Sequence, residues 1–347
     1  MQYIEQKQYI PKIFQDIQNL YRYTSVIKHP TTLLPASYSD CFKSLIDLFN
    51  NVGKTSYNVK YKRVKYEKLV SKKSKLRNNG RAIVCFSGGK DSLATVLRLK
   101  KQGYQVWIYH LKGINQTYKD EYKTAESIAE MLGVPLISEE IKLKGSHEWT
   151  EHPMKNMIIA NNALWYGIRN NITVNIYFGN FMSSSVYSDP FEVCGGDCKE
   201  MWNAYEEIIQ QVIPNWHMGF ILNNFQDTIE TLVRHKEYLP YTQSCIGPYR
   251  YREYLHKNNQ TKYGIELPEH RCGSCWKCCL EYIVFCDYEV YKYNQEYYKH
   301  CLEILKKTLQ KENGIRLKRL EGVWHEYCFY DIGKSKYFSL HLNKYVV

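Results

Sequence analysis

The stretch "VCFSGGKDSL", residues 84–93, sets a short apolar run directly against two glycines, a lysine, an acid and a serine. "AIVCF" (82–86) has the length and apolar character of a buried strand, and "SLATVLRLKKQG" (92–103) reads as a helix stopped by Gly103. Ser87, Gly88 and Gly89 then occupy the carboxyl end of the strand, the edge at which open parallel sheets bind ligands. Glycines let backbone N–H groups come close to phosphate oxygens, and the helix N-terminus behind them adds unsatisfied donors and a partial positive charge. The hydroxyls of Ser87 and Ser92 and the ammonium of Lys90 offer further contacts to an anion. Asp91 is placed to cap the helix or to orient a metal-bound water. The spacing is neither G-x-x-x-x-G-K-[ST] nor G-x-G-x-x-G, so the turn is not read as either of those nucleotide loops.

Outward from the turn, strands and helices alternate. "YQVWIYHL" (104–111) reads as a second strand and "KDEYKTAESIAEMLG" (119–133) as a second helix, followed by "VPLISEEI", the helical "MKNMIIANNALWYGIRN" (154–170) and the strand "TVNIYFG" (173–179). Such alternation predicts an α/β fold, an open twisted parallel sheet with right-handed crossovers. Ahead of it, "PKIFQDIQNLYRY" and "SDCFKSLIDLFNNVG" space their apolar residues at helical intervals, so residues 1 to about 55 read as a mainly helical extension. The expected organisation is an N-terminal extension (1–80), a nucleotide-binding domain (81–240), a cysteine-bearing region (241–287) and a C-terminal extension (288–347).

The chain of 347 residues carries a formal net charge of +12, which suggests an anionic partner such as nucleotide phosphates or nucleic acid. Most of the excess is local. Ten basic residues between Lys60 and Arg81 face a single acid, Glu67. This tract is read as a strand pair or a linker, and as either a salt-sensitive surface for tRNA or an acidic partner, or a solvated face beside the nucleotide pocket. The opening residues lack the apolar run of a signal peptide, and no later stretch approaches the roughly 18 apolar residues of a spanning helix. A cytoplasmic protein without membrane contact is therefore expected. The twelve cysteines then read as metal ligands, reactive thiols or core residues rather than disulfides.

Cys272, Cys275 and Cys278 follow C-x-x-C-x-x-C spacing, and Cys245 precedes them. Two residues between thiolates let a tight turn aim both sulfurs at one ion, and a fourth thiolate completes a tetrahedral structural zinc (Zn2+) site. Cys279 exceeds this count and is read as a bystander. The same spacing also opens cubane iron–sulfur motifs, but the fourth cysteine followed by proline is missing, so zinc is the expected metal.

SGGKDS matches the SGGxDS signature of the PP-loop ATP pyrophosphatases. With "SC" and "CGSCWKC" following in order, the chain from about Arg81 to Phe285 resembles the QueC family, the 7-cyano-7-deazaguanine synthases and their relatives. Glu121 and Ala125 sit where that family has E-L-x-x-A. "KNMIIANNALWYG" resembles its R-N-x-x-F-L helix, with Lys155 in place of arginine and Asn156 kept. "YFGN" resembles its G-x-N strand end, at Asn180, and "GDCKEMW" is similar to Y-P-D-C-R-P-x-F, giving Asp197, Cys198 and Lys199. The resemblance implies ATP, magnesium (Mg2+) and structural zinc. It also implies adenylation of the carboxylate of 7-carboxy-7-deazaguanine, with pyrophosphate leaving and ammonia giving first the amide and then the nitrile. Lys155, Asn156, Asn180, Asp197 and Lys199 would face the deazaguanine.

The departures from the family pattern bear on the acceptor. The family's Y-G-Q-R segment is replaced by "HLKGINQT", the spacer between Cys245 and Cys272 is long, and residues 1–80 and 288–347 are additional. They point to a specialised relative, such as the QueC-like proteins of antiviral defence or phage, in which a protein or nucleic-acid amine replaces ammonia. A tRNA-modifying PP-loop enzyme and a non-catalytic zinc module that binds nucleic acid are the competing readings, and self-association into a homodimer stays open. Cys194 and Cys198 read as a nucleophile pair or as ordinary pocket thiols, since a reactive thiolate needs a basic environment. His110 and His235 carry no constellation and are expected to be structural.

Overall fold

The computed structural model describes residues 10–26, 31–53, 56–113, 121–141, 154–179, 199–223, 225–243, 249–268 and 270–310. Within them, β3 (Arg81–Cys85) forms the centre of a five-stranded sheet. Its neighbours are β4 (Gln105–Lys112) on one side and β6 (Ile176–Phe178) on the other, with β5 (Leu136–Glu140) and β7 (Gly219–Phe220) at the edges. Every pairing is parallel. The chain leaves β3 toward β4 and later returns on the opposite side at β6, which makes the carboxyl end of β3 the topological switch point of the sheet.

The two faces of β3 bury different partners, as alternation along a strand requires. Ala82, Val84 and Phe86 join a core with α3 (Lys90–Lys101), α4 (Glu121–Leu132), α7 (Phe225–Val233), α9 (Trp276–Asp287) and α10 (Gln295–Gln310). Ile83 and Cys85 point the other way, into a core with α5 (Lys155–Arg169) and α6 (Lys199–Gln210). Burial on both faces explains why "AIVCF" is continuously apolar rather than alternating.

The N-terminal helices α1 (Lys12–Val26) and α2 (Lys43–Gly53) were expected from their periodicity, and both are present. They extend the α5/α6 core: Phe14 is fully buried with its ring 5.7 Å from that of Trp165, and Phe42 lies in the same cluster as Trp202. A small parallel sheet of β1 (Thr31–Ser39) and β2 (Ser56–Lys62) accompanies them. That pairing joins residues far apart in sequence, and "TTLLPASYS" contains a proline that hides its strand character.

Only the first residues of the basic tract lie in β2; residues 63–80 form no helix or strand and lie along the domain. Lys68 donates to the Gln211 carbonyl at 2.6 Å, Leu69 N–H to Val212 O at 2.9 Å, and the Arg77 guanidinium to the Pro214 carbonyl. Lys60, Lys62, Arg63, Lys65, Lys72, Lys73 and Lys75 are exposed. No helix among the described residues is long and apolar enough to cross a membrane.

Candidate functional site

The SGGKDS turn sits at the switch point. Gly88 adopts φ +81°, a conformation open to glycine, and a Cβ there would come within 2.8 Å of Thr124 Cγ2 on α4. Gly89 is the N-cap of α3 and makes no side-chain cap hydrogen bond to the helix. Ser87 is exposed at the mouth, whereas Lys90 is 5% exposed, with Nζ 3.5 Å from Asp91 Oδ2. Asp91 Oδ1 accepts from Thr228 Oγ1 at 2.9 Å, and Ser92 is buried in the first turn of α3. A helix N-terminus without a side-chain cap, a glycine turn and a buried ammonium are the features that could hold an anion.

Several supports of this turn lie outside the SGGKDS segment. Gly179 ends β6 directly on α3: a Cβ there would lie 2.3 Å from Ser92 N and Cα. Arg98 fastens α3 to α7 through Asp227 Oδ1 at 2.7 Å and Thr231 Oγ1 at 2.9 Å. Burial opposes the charge of Asp227, but Arg98 and the N–H of Asn223 outweigh it and lower its pKa. His110, expected to be structural, is buried beneath the turn with Nδ1 donating to the Phe86 carbonyl at 3.0 Å. Burial lowers its pKa against the effect of that hydrogen bond, and Lys112 adds to the lowering.

The second cluster lies at the start of α9. The sulfurs of Cys272, Cys275 and Cys278 all fall within 4.8 Å of one another, with Cys272 Sγ and Cys278 Sγ 3.9 Å apart. A zinc tetrahedron with bonds near 2.3 Å has S···S edges of about 3.8 Å, so the three thiols could hold such an ion. In a cubane, thiolates bind separate irons and stand farther apart. The N–H groups of Ser274 and Cys275 reach Cys272 Sγ at 3.3 and 3.2 Å, an arrangement that favours the thiolate. Gly273 permits the knuckle with φ +72°, its would-be Cβ 2.7 Å from Leu267 Cδ1. Cys279 is outside the group, buried, with burial the first cause of its strongly raised pKa and Cys301 adding to it.

A chain of hydrogen bonds links the two clusters. Arg271, beside Cys272, is 2% exposed and donates from Nε to Glu281 Oε1 at 2.7 Å. Its Nη atoms bind the Thr242 carbonyl and Thr242 Oγ1, the latter at 2.8 Å. The next residue, Gln243, donates its N–H to the Gly88 carbonyl at 2.7 Å. Burial works against the guanidinium of Arg271, but Glu281 overrides it and the pKa is raised.

Of the remaining candidates, Lys155 and Asn156 open α5, both half-buried, and Lys199 opens α6, exposed. Ala125 is buried in α4. Asn180, Cys194, Asp197, Cys198 and Cys245 lie outside the described residues. His235 is partly exposed, its Nδ1 3.6 Å from Glu237 Oε1.

Residues 81–181, from the first residue of β3 past the end of β6, match the family model of queuosine biosynthesis protein QueC. Over these residues the chain is similar to QueC, and the strands matched belong to the parallel sheet centred on β3. The QueC match holds the SGGKDS turn, α4 and α5, and it ends before the cysteine knuckle. None of the curated proteins compared with the chain matches it. Among solved structures, one similar chain is described as the predicted subunit of a tRNA methyltransferase from Methanocaldococcus jannaschii. It is 18% identical with a TM-score of 0.20, covering 48% of this chain and 94% of that chain.

Proposed function

We propose that the protein adenylates the carboxylate of 7-carboxy-7-deazaguanine with ATP, releasing pyrophosphate, for reaction with a nitrogen nucleophile. The observation that carries this reading is the uncapped N-terminus of α3 behind the Gly88–Gly89 turn, within the segment that matches QueC. A carboxylate oxygen attacks the α-phosphorus, the bond to the bridging oxygen breaks, and pyrophosphate departs with the electron pair. The α3 N–H groups and Lys90 then take up charge that accumulates on the β/γ end. Magnesium, when bound with ATP, shares that charge, and Asp91 is the carboxylate nearest to orient its water shell. Ammonia displaces adenylate from the activated carboxylate to give the amide, which a second activation dehydrates.

Cys272, Cys275 and Cys278, with Cys245 as the fourth ligand, would hold zinc in a structural role. Lys155, Asn156, Asn180, Asp197 and Lys199 are assigned to the deazaguanine. The test is pyrophosphate release from ATP on adding 7-carboxy-7-deazaguanine and ammonium. Release that ignores the deazaguanine and requires tRNA would replace this reading with a tRNA-modifying activity.

A further inference from the structure

Two polar side chains at the glycine turn are buried with nothing to bond. Thr124 is 4% and Gln243 7% exposed, and neither Thr124 Oγ1 nor either amide atom of Gln243 has a hydrogen-bond partner. Buried polar groups are almost always paired, and a valine or methionine would fill the same space without forfeiting hydration. Both residues touch the turn. The methyl of Thr124 packs on Gly88, while the backbone of Gln243 binds the Gly88 carbonyl and brings its own carbonyl 3.7 Å from where a Gly89 Cβ would stand.

Gln243 is also held in place from behind, because Thr242 is clamped by the buried Arg271. From α4 on one side and the segment after the short helical turn Lys236–Tyr241 on the other, two residues with unpaired polar side chains therefore pack against one pair of glycines.

We propose that Thr124 Oγ1–H and the Gln243 carboxamide are ligands to the phosphate oxygens of a nucleoside triphosphate seated on Gly88 and Gly89, which completes the phosphate site beyond the SGGKDS segment. This rests on the nucleotide reading of the turn given above. The choice of an anionic oxygen as the ligand follows from the surroundings. The α3 N-terminus is uncapped, Lys90 is buried beside it, and the nearest carboxylate, Asp91, is engaged by Thr228 and Lys90. Donation from Gln243 Nε2 to a phosphate leaves Oε1 to accept from the ligand's hydration.

The test is calorimetric binding of magnesium–ATP, inorganic pyrophosphate and adenosine to the full chain and to Thr124→Val, Thr124→Ser and Gln243→Met. Thr124→Val and Gln243→Met are each expected to weaken ATP and pyrophosphate by about tenfold, to leave adenosine unchanged, and to keep or raise the melting temperature of the ligand-free protein. Thr124→Ser should retain wild-type affinity. Unchanged pyrophosphate affinity in both apolar variants, or a loss confined to adenosine, overturns the assignment. So does a lower melting temperature with unaltered binding, which would mark both groups as structural. Wild-type protein that binds neither ATP nor pyrophosphate defeats the nucleotide reading as well; wild-type binding matched by the variants defeats this inference alone.

Discussion

The phosphate-type turn and the cysteine knuckle are built alike and left in opposite conditions. Each places a glycine with positive φ, Gly88 or Gly273, just before a helix that has no side-chain cap. At the knuckle the exposed N–H groups find an acceptor within the chain, Cys272 Sγ, and the neighbouring Arg271 is matched by Glu281. At the turn the N-cap Gly89 gives α3 no side-chain cap, and the Thr124 hydroxyl and the Gln243 amide have no hydrogen-bond partner. The knuckle thus satisfies part of its polar groups within the chain, while the proposed role of the turn is to hold a ligand. Changes in the knuckle should cost stability, and changes in the turn should cost affinity.

The largest effect should follow Arg271→Met, which strands the buried Glu281 and releases Thr242. Breaking one side of a buried ion pair costs about 3–5 kcal/mol, read by urea denaturation. Because Thr242 carries Gln243 onto Gly88, ATP affinity should fall in the same variant. Full affinity in a destabilised protein would break the link between the two sites. Cys272→Ser should come next. It removes the sulfur that takes two N–H groups and lies nearest Cys278, so bound zinc measured by mass spectrometry should be lost along with about 2–3 kcal/mol of stability.

Lys90→Met sharpens the contrast from the other side. Pyrophosphate affinity is expected to drop about 100-fold, or about 2.7 kcal/mol, with a smaller loss of melting temperature than in either knuckle variant. The reverse ranking would make Lys90 a structural residue. The smallest effect belongs to His110. Its pKa is depressed in the folded protein, so between that value and the unfolded value near 6.5 the unfolded state binds more protons. Stability is therefore present above about pH 6.5 and declines as pH falls below it. His110→Asn should flatten this slope between pH 7 and 5, read by urea denaturation at each pH; an unchanged slope would remove His110 from the acid sensitivity.

Much of this was legible in the chain because the relevant interactions are local. Strand, turn and helix around SGGKDS are consecutive, and thiols two residues apart can meet within one knuckle whatever surrounds them. Alternating apolar segments likewise implied the parallel sheet, since a strand buried on both faces must be apolar throughout. The N-terminal helices showed in their periodicity, but their role as an added layer over α5 did not, because amphipathicity states that a face is buried and not against what.

What waited for the tertiary structure is each contact made across the fold by a single unremarkable residue. Thr124 against Gly88, Thr242 in the grip of Arg271 and Gln243 across the turn leave no periodic or motif trace in sequence. Local spacing specified the chemistry that a few neighbouring residues can perform. The folding of distant segments onto the end of β3 decided which buried polar groups stand unpaired beside it, because burial and hydrogen-bond satisfaction are properties of the packed chain and not of any stretch of it.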